Sequence, residues 1–137
     1  TWKSGRAGWS GNGDGLPRRD RDIEGHPLRI GNKRYPKGLG THAPSEIVYQ
    51  LDGGFERFQA LVGPSEDSGT VVFRVFGDDR VLFDSGVLRS RQSAAVDVPL
   101  AGVRQLRLVV TDAGDGYFSD SANWAAARLR RSRDAAK

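Results

Sequence analysis

The chain has no cysteine and no methionine among its 137 residues, and only two histidines, His26 and His42. The absence of Cys excludes disulfides, zinc–thiolate centres and Cys nucleophiles together. It leaves the compartment open, because a disulfide-free domain folds in oxidising and reducing surroundings alike. With two His, a multi-histidine metal centre is not expected. No apolar stretch approaches the roughly 20 residues a membrane-spanning helix needs, so no membrane span is expected. Neither an initiator Met nor a signal peptide opens the chain, which reads as a mature or excised domain.

What is present fits one globular domain. The length suits a single core, and 37% hydrophobic with 28% charged residues is a folded composition rather than a disordered one. The net charge of +4 raises the question of nucleic acid. Much of the excess sits in Arg128, Arg130, Arg131, Arg133 and Lys137, whereas Arg18, Arg19 and Arg21 alternate with Asp20 and Asp22 and are largely compensated. No aromatics interleave with these bases as a single-strand binder requires. The excess reads as a solvated basic tail, and nucleic acid is not an expected partner.

The first thirty or so residues mix glycines, charges and two Trp without a period, and read as an irregular segment with at most short strands. From Glu46 onward, short runs of Val, Ile, Leu, Phe and Tyr recur between Gly/Asp/Ser/Pro clusters. Expected strands cover 46–51, 58–62, 71–76, 81–84, 95–100 and 105–111. Phe73 and Val75 alternate with Arg74, and Leu106, Leu108 and Val110 with Arg107, in the period-2 manner of a half-buried strand. Gly77-Asp78-Asp79-Arg80 reads as a short hairpin loop and Asp52-Gly53-Gly54 as a turn. The segment 124–131 has helix propensity, but its alternation favours a last strand to about Leu129 and a frayed basic tail. The fold class is therefore all-β, an antiparallel β-sandwich of jelly-roll type. It is one domain with a core of about 9–129 and a tail at 130–137.

The stretch Tyr35-Pro36-Lys37-Gly38-Leu39-Gly40-Thr41-His42-Ala43-Pro44-Ser45-Glu46-Ile47 reads as a loop fixed by Gly and Pro that runs into a strand. It presents an ammonium, a hydroxyl and an imidazole close together, which suits a small polar ligand better than covalent chemistry. Enzyme readings find no support. There is no Gly-x-Ser-x-Gly elbow, and nothing pairs two carboxylates across a cleft. Gly11-Asn12-Gly13-Asp14-Gly15 neither follows a strand nor opens a helix, as a phosphate loop must.

Taken in order, Lys37-Gly38-Leu39-Gly40-Thr41-His42-Ala43, Ser45-Glu46-Ile47-Val48-Tyr49, Phe58-Gln59-Ala60-Leu61-Val62-Gly63, Val72-Phe73-Arg74-Val75, Leu82-Phe83-Asp84-Ser85-Gly86, the run from Leu106 to Gly116 and Asn123-Trp124-Ala125 resemble the NPCBM family, also classed as family 51 carbohydrate-binding modules. The resemblance runs from about Trp9 to Leu129. It implies a β-sandwich without catalysis of its own, appended to a larger parent such as a secreted glycoside hydrolase, and hence extracellular. It implies a terminal galactose-type or related sugar on a glycan as ligand, and a structural calcium ion. The family commonly reads Asp-Trp-Ala-Asp-Ala where this chain has Asn123-Trp124-Ala125-Ala126-Ala127, so two carboxylates are missing here. The alternative is a structural or protein-interaction sandwich that has lost sugar binding.

The candidate residues each carry two readings. His42 has one donor and one acceptor when neutral, as a hydroxyl does; it either binds a sugar hydroxyl or fixes its own turn. Trp9, Trp124, Tyr117 and Phe118 are candidates for a stacking platform under the apolar face of a pyranose, against core filling, which is at least as natural for Trp124 in a strand. Lys37, Asn12, Asp120 and Asn123 suit vicinal hydroxyls or are ordinary loop residues. Asp112-Ala113-Gly114-Asp115-Gly116 resembles part of a calcium loop, with Asp20 and Asp22 as alternative ligands. The other reading of Asp112 and Asp115 is a plain Asp/Gly turn.

Overall fold

The computed structural model describes residues 4–7, 15–30, 33–64, 70–89, 92–112 and 121–131. Strands in chain order are β1 Ser4–Arg6, β2 Arg18–Arg19, β3 Leu28–Ile30, β4 Lys33–Tyr35, β5 Gly38–His42, β6 Ser45–Gln50, β7 Phe55–Pro64, β8 Val71–Gly77, β9 Arg80–Leu88, β10 Ala94–Pro99, β11 Gln105–Thr111 and β12 Ser121–Arg131. The described residues form no helix. One sheet runs β1-β6-β11-β8-β9, the other β10-β7-β12-β5-β2, and β3 with β4 makes a separate hairpin. From β5 to β12 the first strand lies beside the last and the second beside the seventh, which is the jelly-roll order.

The expected alternation is realised. Leu106, Leu108 and Val110 on β11 and Phe73 and Val75 on β8 turn inward against Phe58, Val62, Val96, Val98 and Trp124 of the facing sheet. Trp124 is fully enclosed. It meets the Phe73 ring edge-on at 5.1 Å between centroids and the Phe58 ring at 6.3 Å. Burying an aromatic of this size stabilises by about 4–6 kcal/mol on area alone. The indole Nε1–H finds no acceptor among the described residues, which takes back about 1–3 kcal/mol. Trp124 is thus a core residue, and the sequence reading of it as a stacking platform is corrected: an enclosed ring has no face to offer a sugar.

The hairpin expected at 77–80 is present. Asp78 and Asp79 take φ of 48° and 72°, the two left-handed positions of a type I′ turn. The Asp78 carboxylate accepts the backbone N–H of Arg104 and Gln105, tying this turn to the start of β11.

The expectation of a loop across 37–42 gives way to a five-residue strand, β5, buried throughout. Its sequence hides this, because Gly38 and Gly40 break the alternation. Their reason is packing. A Cβ on Gly40 would lie 2.2 Å from the Arg21 carbonyl oxygen, and one on Gly63 of β7 would lie 2.7 Å from that of Gln92. Chain is thus laid directly on the outer face of this sheet, and residues 20–30 bury Ile23, Leu28 and Ile30 in doing so. With core beneath and chain above, β12 is buried on both faces from Ala122 to Ala125.

The last strand runs to Arg131, slightly past the expected end. Ala125 pairs with Leu61 but Arg128 with Gln59, so three steps along β12 match two along β7. This is a bulge, and within it Ala126 takes φ of 51°.

Candidate functional site

Pairing of Ser121 with His42 and of Val110 with Ser45 gathers the end of β11, the start of β12 and the β5–β6 corner at one pole of the sandwich. At that corner the chain leaves one sheet for the other through Ala43–Pro44. Thr41, His42, Ser45 and Asn123 are the buried polar residues among those described, and all lie on the strands that meet there. Buried polar groups are costly unless bonded, so their concentration at one pole sets it apart from the rest of the core.

The Thr41 hydroxyl bonds the Ser45 hydroxyl at 2.7 Å. His42 is 5% exposed, with its ring Nδ1 at 2.7 Å from the Ala43 carbonyl oxygen. A carbonyl only accepts, so Nδ1 carries the proton and Nε2 is the acceptor of the neutral ring. His42 therefore fixes the corner while keeping a defined tautomer. Asn123 donates from Nδ2 to the Arg29 carbonyl at 2.8 Å, holding β3 on the outer face of the sheet.

Lys37 is not part of this group. It precedes β5, whereas His42 ends it, and five extended residues separate them by roughly 17 Å. A single monosaccharide does not bridge that distance, so the expected proximity of ammonium and imidazole is corrected. Lys37 lies instead on the flank of the sandwich, beside Asp20, where its Nζ is 3.4 Å from Oδ2.

Of the aspartates expected to hold calcium, Asp20, Asp22 and Asp112 lie among the described residues and Asp115 lies outside them. Asp20 accepts the Gly38 N–H at 2.9 Å and faces Lys37. The Gly38 N–H, with Lys37 adding to it, holds the Asp20 carboxyl below its usual range. A carboxylate already committed to a cation and a backbone donor does not fit a metal. Asp22 uses Oδ1 to accept the N–H of Glu24 and His26. Its carboxylate lies with Glu24 and His26 in a cluster whose ligand atoms fall within 4.8 Å of one another. Calcium takes six to eight oxygens, and two carboxylates with an imidazole in an exposed turn do not supply that set. Asp112 follows β11 at the His42 pole, on the other sheet from the outer face that Asp22 covers.

Trp9, Asn12, Asp115, Tyr117, Phe118 and Asp120 lie outside the described residues. Asp112 and Ser121, which bracket the segment carrying the last four, are both at the His42 pole. Sequence reasoning missed the Thr41–Ser45 pair, although two hydroxyl residues around Ala43-Pro44 were a usable sign of a tied corner. It also missed Tyr49, which reads as one more strand residue. Tyr49 is half-buried, and burial pushes its hydroxyl pKa up.

A family model described as the NPCBM/NEW2 domain matches residues 2–130. The alpha-1,3-galactosidase B of Akkermansia muciniphila is 34% identical over 122 residues, a match covering 80% of this chain. The chain spans 15% of that protein and 7% of a second curated relative. Among solved structures, CBM51 from Clostridium perfringens GH95, in complex with methyl-galactose, is 33% identical. Its TM-score is 0.85, and 94% of each chain is covered. CBM51-2 of Clostridium perfringens ZmpB, in complex with GlcNAc, is 30% identical at a TM-score of 0.85, covering 96% of this chain and 30% of that one.

Proposed function

The chain belongs to the NPCBM/NEW2 domain family, and from that premise we propose that it is a non-catalytic module that binds a terminal galactose-type sugar at the His42 pole. The observation that carries this reading is end-to-end likeness to a domain solved with methyl-galactose, 94% of each chain at 33% identity. The GlcNAc complex of a second relative makes amino sugars the nearest competitor. The pole supplies an imidazole fixed by its bond to the Ala43 carbonyl, with the donor and acceptor chemistry that hydroxyls need, and the enclosed Thr41–Ser45 pair braces the corner that carries it.

The non-catalytic part rests on the family match and on likeness to a domain solved as a carbohydrate-binding module. Calcium enters this proposal through Asp112 and Asp115 alone. The relatives are far longer than this chain, which supports a module appended to an extracellular carbohydrate-active parent.

Titration calorimetry with methyl-galactose and with GlcNAc, at two salt concentrations and with or without chelator, tests the proposal. A small wet site predicts a Kd of about millimolar to micromolar, independent of salt. Loss of binding in chelator locates a metal at the pole. Silence toward every neutral sugar would overturn the reading in favour of an interaction sandwich, and binding only to acidic glycans at low salt would move the site to the basic surface.

A further inference from the structure

Thr41 and Ser45 stand on either side of His42, Ala43 and Pro44, where the chain passes from β5 in one sheet to β6 in the other. Thr41 is held in its sheet opposite Ala122, and Ser45 in the other opposite Val110. Both residues are enclosed, at 0% and 2% exposed, and the Thr41 hydroxyl donates to Ser45 Oγ at 2.7 Å. This bond ties the two sheets at the corner and closes a ring around His42-Ala43-Pro44. Within the ring, the Ala43 carbonyl receives the Nδ1–H of His42, and Ala43 is itself fully buried.

We infer, on the reading of His42 as the sugar-binding group, that Thr41 and Ser45 are its positioning residues. Their bond clamps 42–44 so that the Ala43 carbonyl keeps the imidazole proton on Nδ1 and leaves Nε2 as the acceptor for a sugar hydroxyl. Stability alone is a poor reason for the pair. Each hydroxyl exchanges a bond to water for a bond to the other, and apolar residues of the same shape would hold the core about as well. What the hydroxyls add is direction, because their bond is made only over a narrow range of distance and angle. With both ends of a three-residue link fixed, the carbonyl at its middle has little room to turn. Without the bond, Ala43 shifts, its carbonyl leaves Nδ1, and the proton is free to pass to Nε2. A sugar hydroxyl that needs an acceptor there would then meet a donor. The chain of effect runs from the hydroxyl pair to the Ala43 carbonyl, to the tautomer, and so to the sugar.

The test reads three quantities on T41V, T41V/S45A and T41S: urea unfolding, methyl-galactose affinity by calorimetry, and the ring-nitrogen NMR signals of His42. The chain has two histidines, so H26Q assigns the second set of signals. T41V/S45A removes both polar groups, and is expected to keep most of the parent stability while losing the single Nδ1–H tautomer and binding the sugar several-fold more weakly. T41S keeps the hydroxyl but gives up an enclosed methyl, so it is expected to lose stability yet hold the parent tautomer and affinity. A pair with a merely structural role would not give this crossed pattern. An unchanged tautomer and affinity in T41V/S45A would overturn the inference, and so would a T41S domain that behaves as T41V does. If the double variant fails to fold, T41V alone is read for tautomer and affinity, with the same outcomes deciding. A parent domain that titrates no neutral sugar would remove the sugar-binding reading alone, and the ring signals would still decide whether the clamp sets His42.

Discussion

Gly40→Ala probes how residues 20–30 are seated on the sheet. The added methyl would sit 2.2 Å from the Arg21 carbonyl oxygen, 2.4 Å from the Asp22 Cα and 2.7 Å from the Asp22 carbonyl carbon. Ordinary carbon contacts are about 3.5–4.0 Å, so the segment has to rise by more than an ångström. These are backbone atoms with no rotamer to turn. Gly40 has no left-handed φ, so the cost is steric and none of it is torsional. If the segment shifts as a body, overpacking costs about 1–3 kcal/mol. If it detaches, Ile23 and Leu28, now 1% and 0% exposed, each lose about 1.5–3 kcal/mol of burial. Reduced freedom of the unfolded chain returns about 0.4–1 kcal/mol. A net loss of about 2–4 kcal/mol is expected, or a Tm lower by about 8–15 °C for a domain of this size. Urea and thermal unfolding measure it, and amide exchange across 20–30 separates a shift from detachment. Gly25→Ala is the control, since its φ is 91° with nothing within 4 Å of the new atom, and about 1 kcal/mol of torsional cost is expected there. A G40A domain within 0.5 kcal/mol of the parent would refute the placement of residues 20–30 on that face.

Ala126→Gly is expected to stabilise by about 0.5–1 kcal/mol, the left-handed penalty less the added freedom of the unfolded chain, and a lower Tm would refute the bulge conformation. Asn123→Ala removes the donor to the Arg29 carbonyl, with an expected loss of about 1–3 kcal/mol and faster amide exchange at β3 and β4. Asp20 has a depressed folded-state pKa, so its contribution is complete above the unfolded carboxylate pKa near 4 and is lost as pH falls through the lower folded value. Asp20→Asn, which tolerates the same left-handed φ, should therefore be less stable than the parent by under about 1 kcal/mol at pH 7. The difference should shrink as pH falls below the ordinary carboxylate range, and one that grew on acidification would reverse the assigned direction. His42→Ala is expected to lose sugar binding together with about 1 kcal/mol from the missing bond to Ala43, with unfolding midpoint and calorimetry read on the same sample.

Strands from β6 to β11 were legible because one face of each is core and the other mostly solvent, so burial and alternation coincide. β5 was not, since both its faces are covered and its outward positions are glycines, a pattern shared with loops. That single misreading shrank the apparent distance between Lys37 and His42 and merged two separate places into one site. Trp124 stands among consecutive buried residues, 122–125, where alternation is erased, so its role was undecidable until Phe73 and Phe58 were seen against it. The expectation of calcium came from the family resemblance, since spacing alone favours an Asp/Gly turn at 112–116. What removed Asp20 is its bond to Gly38 from far along the chain, which spacing does not encode. The Asn123 amide donates to the Arg29 carbonyl, a partner far along the chain that sequence spacing does not encode.

The direction of β12 bears on how such a module would be presented by a larger parent. It starts at Ser121 beside His42 and finishes at Arg131, opposite Phe55 and 3.0 Å from Asp52. At the other terminus, Ser4 pairs with Val48, toward the Gln50 end of β6. Ser4 and Arg131 thus both lie toward the pole remote from His42. A neighbouring domain on either side would sit behind the module, and the His42 pole would face outward like the palm of an extended hand. Repeating such units along one chain would point their palms at the same surface and add contacts without any module having to turn.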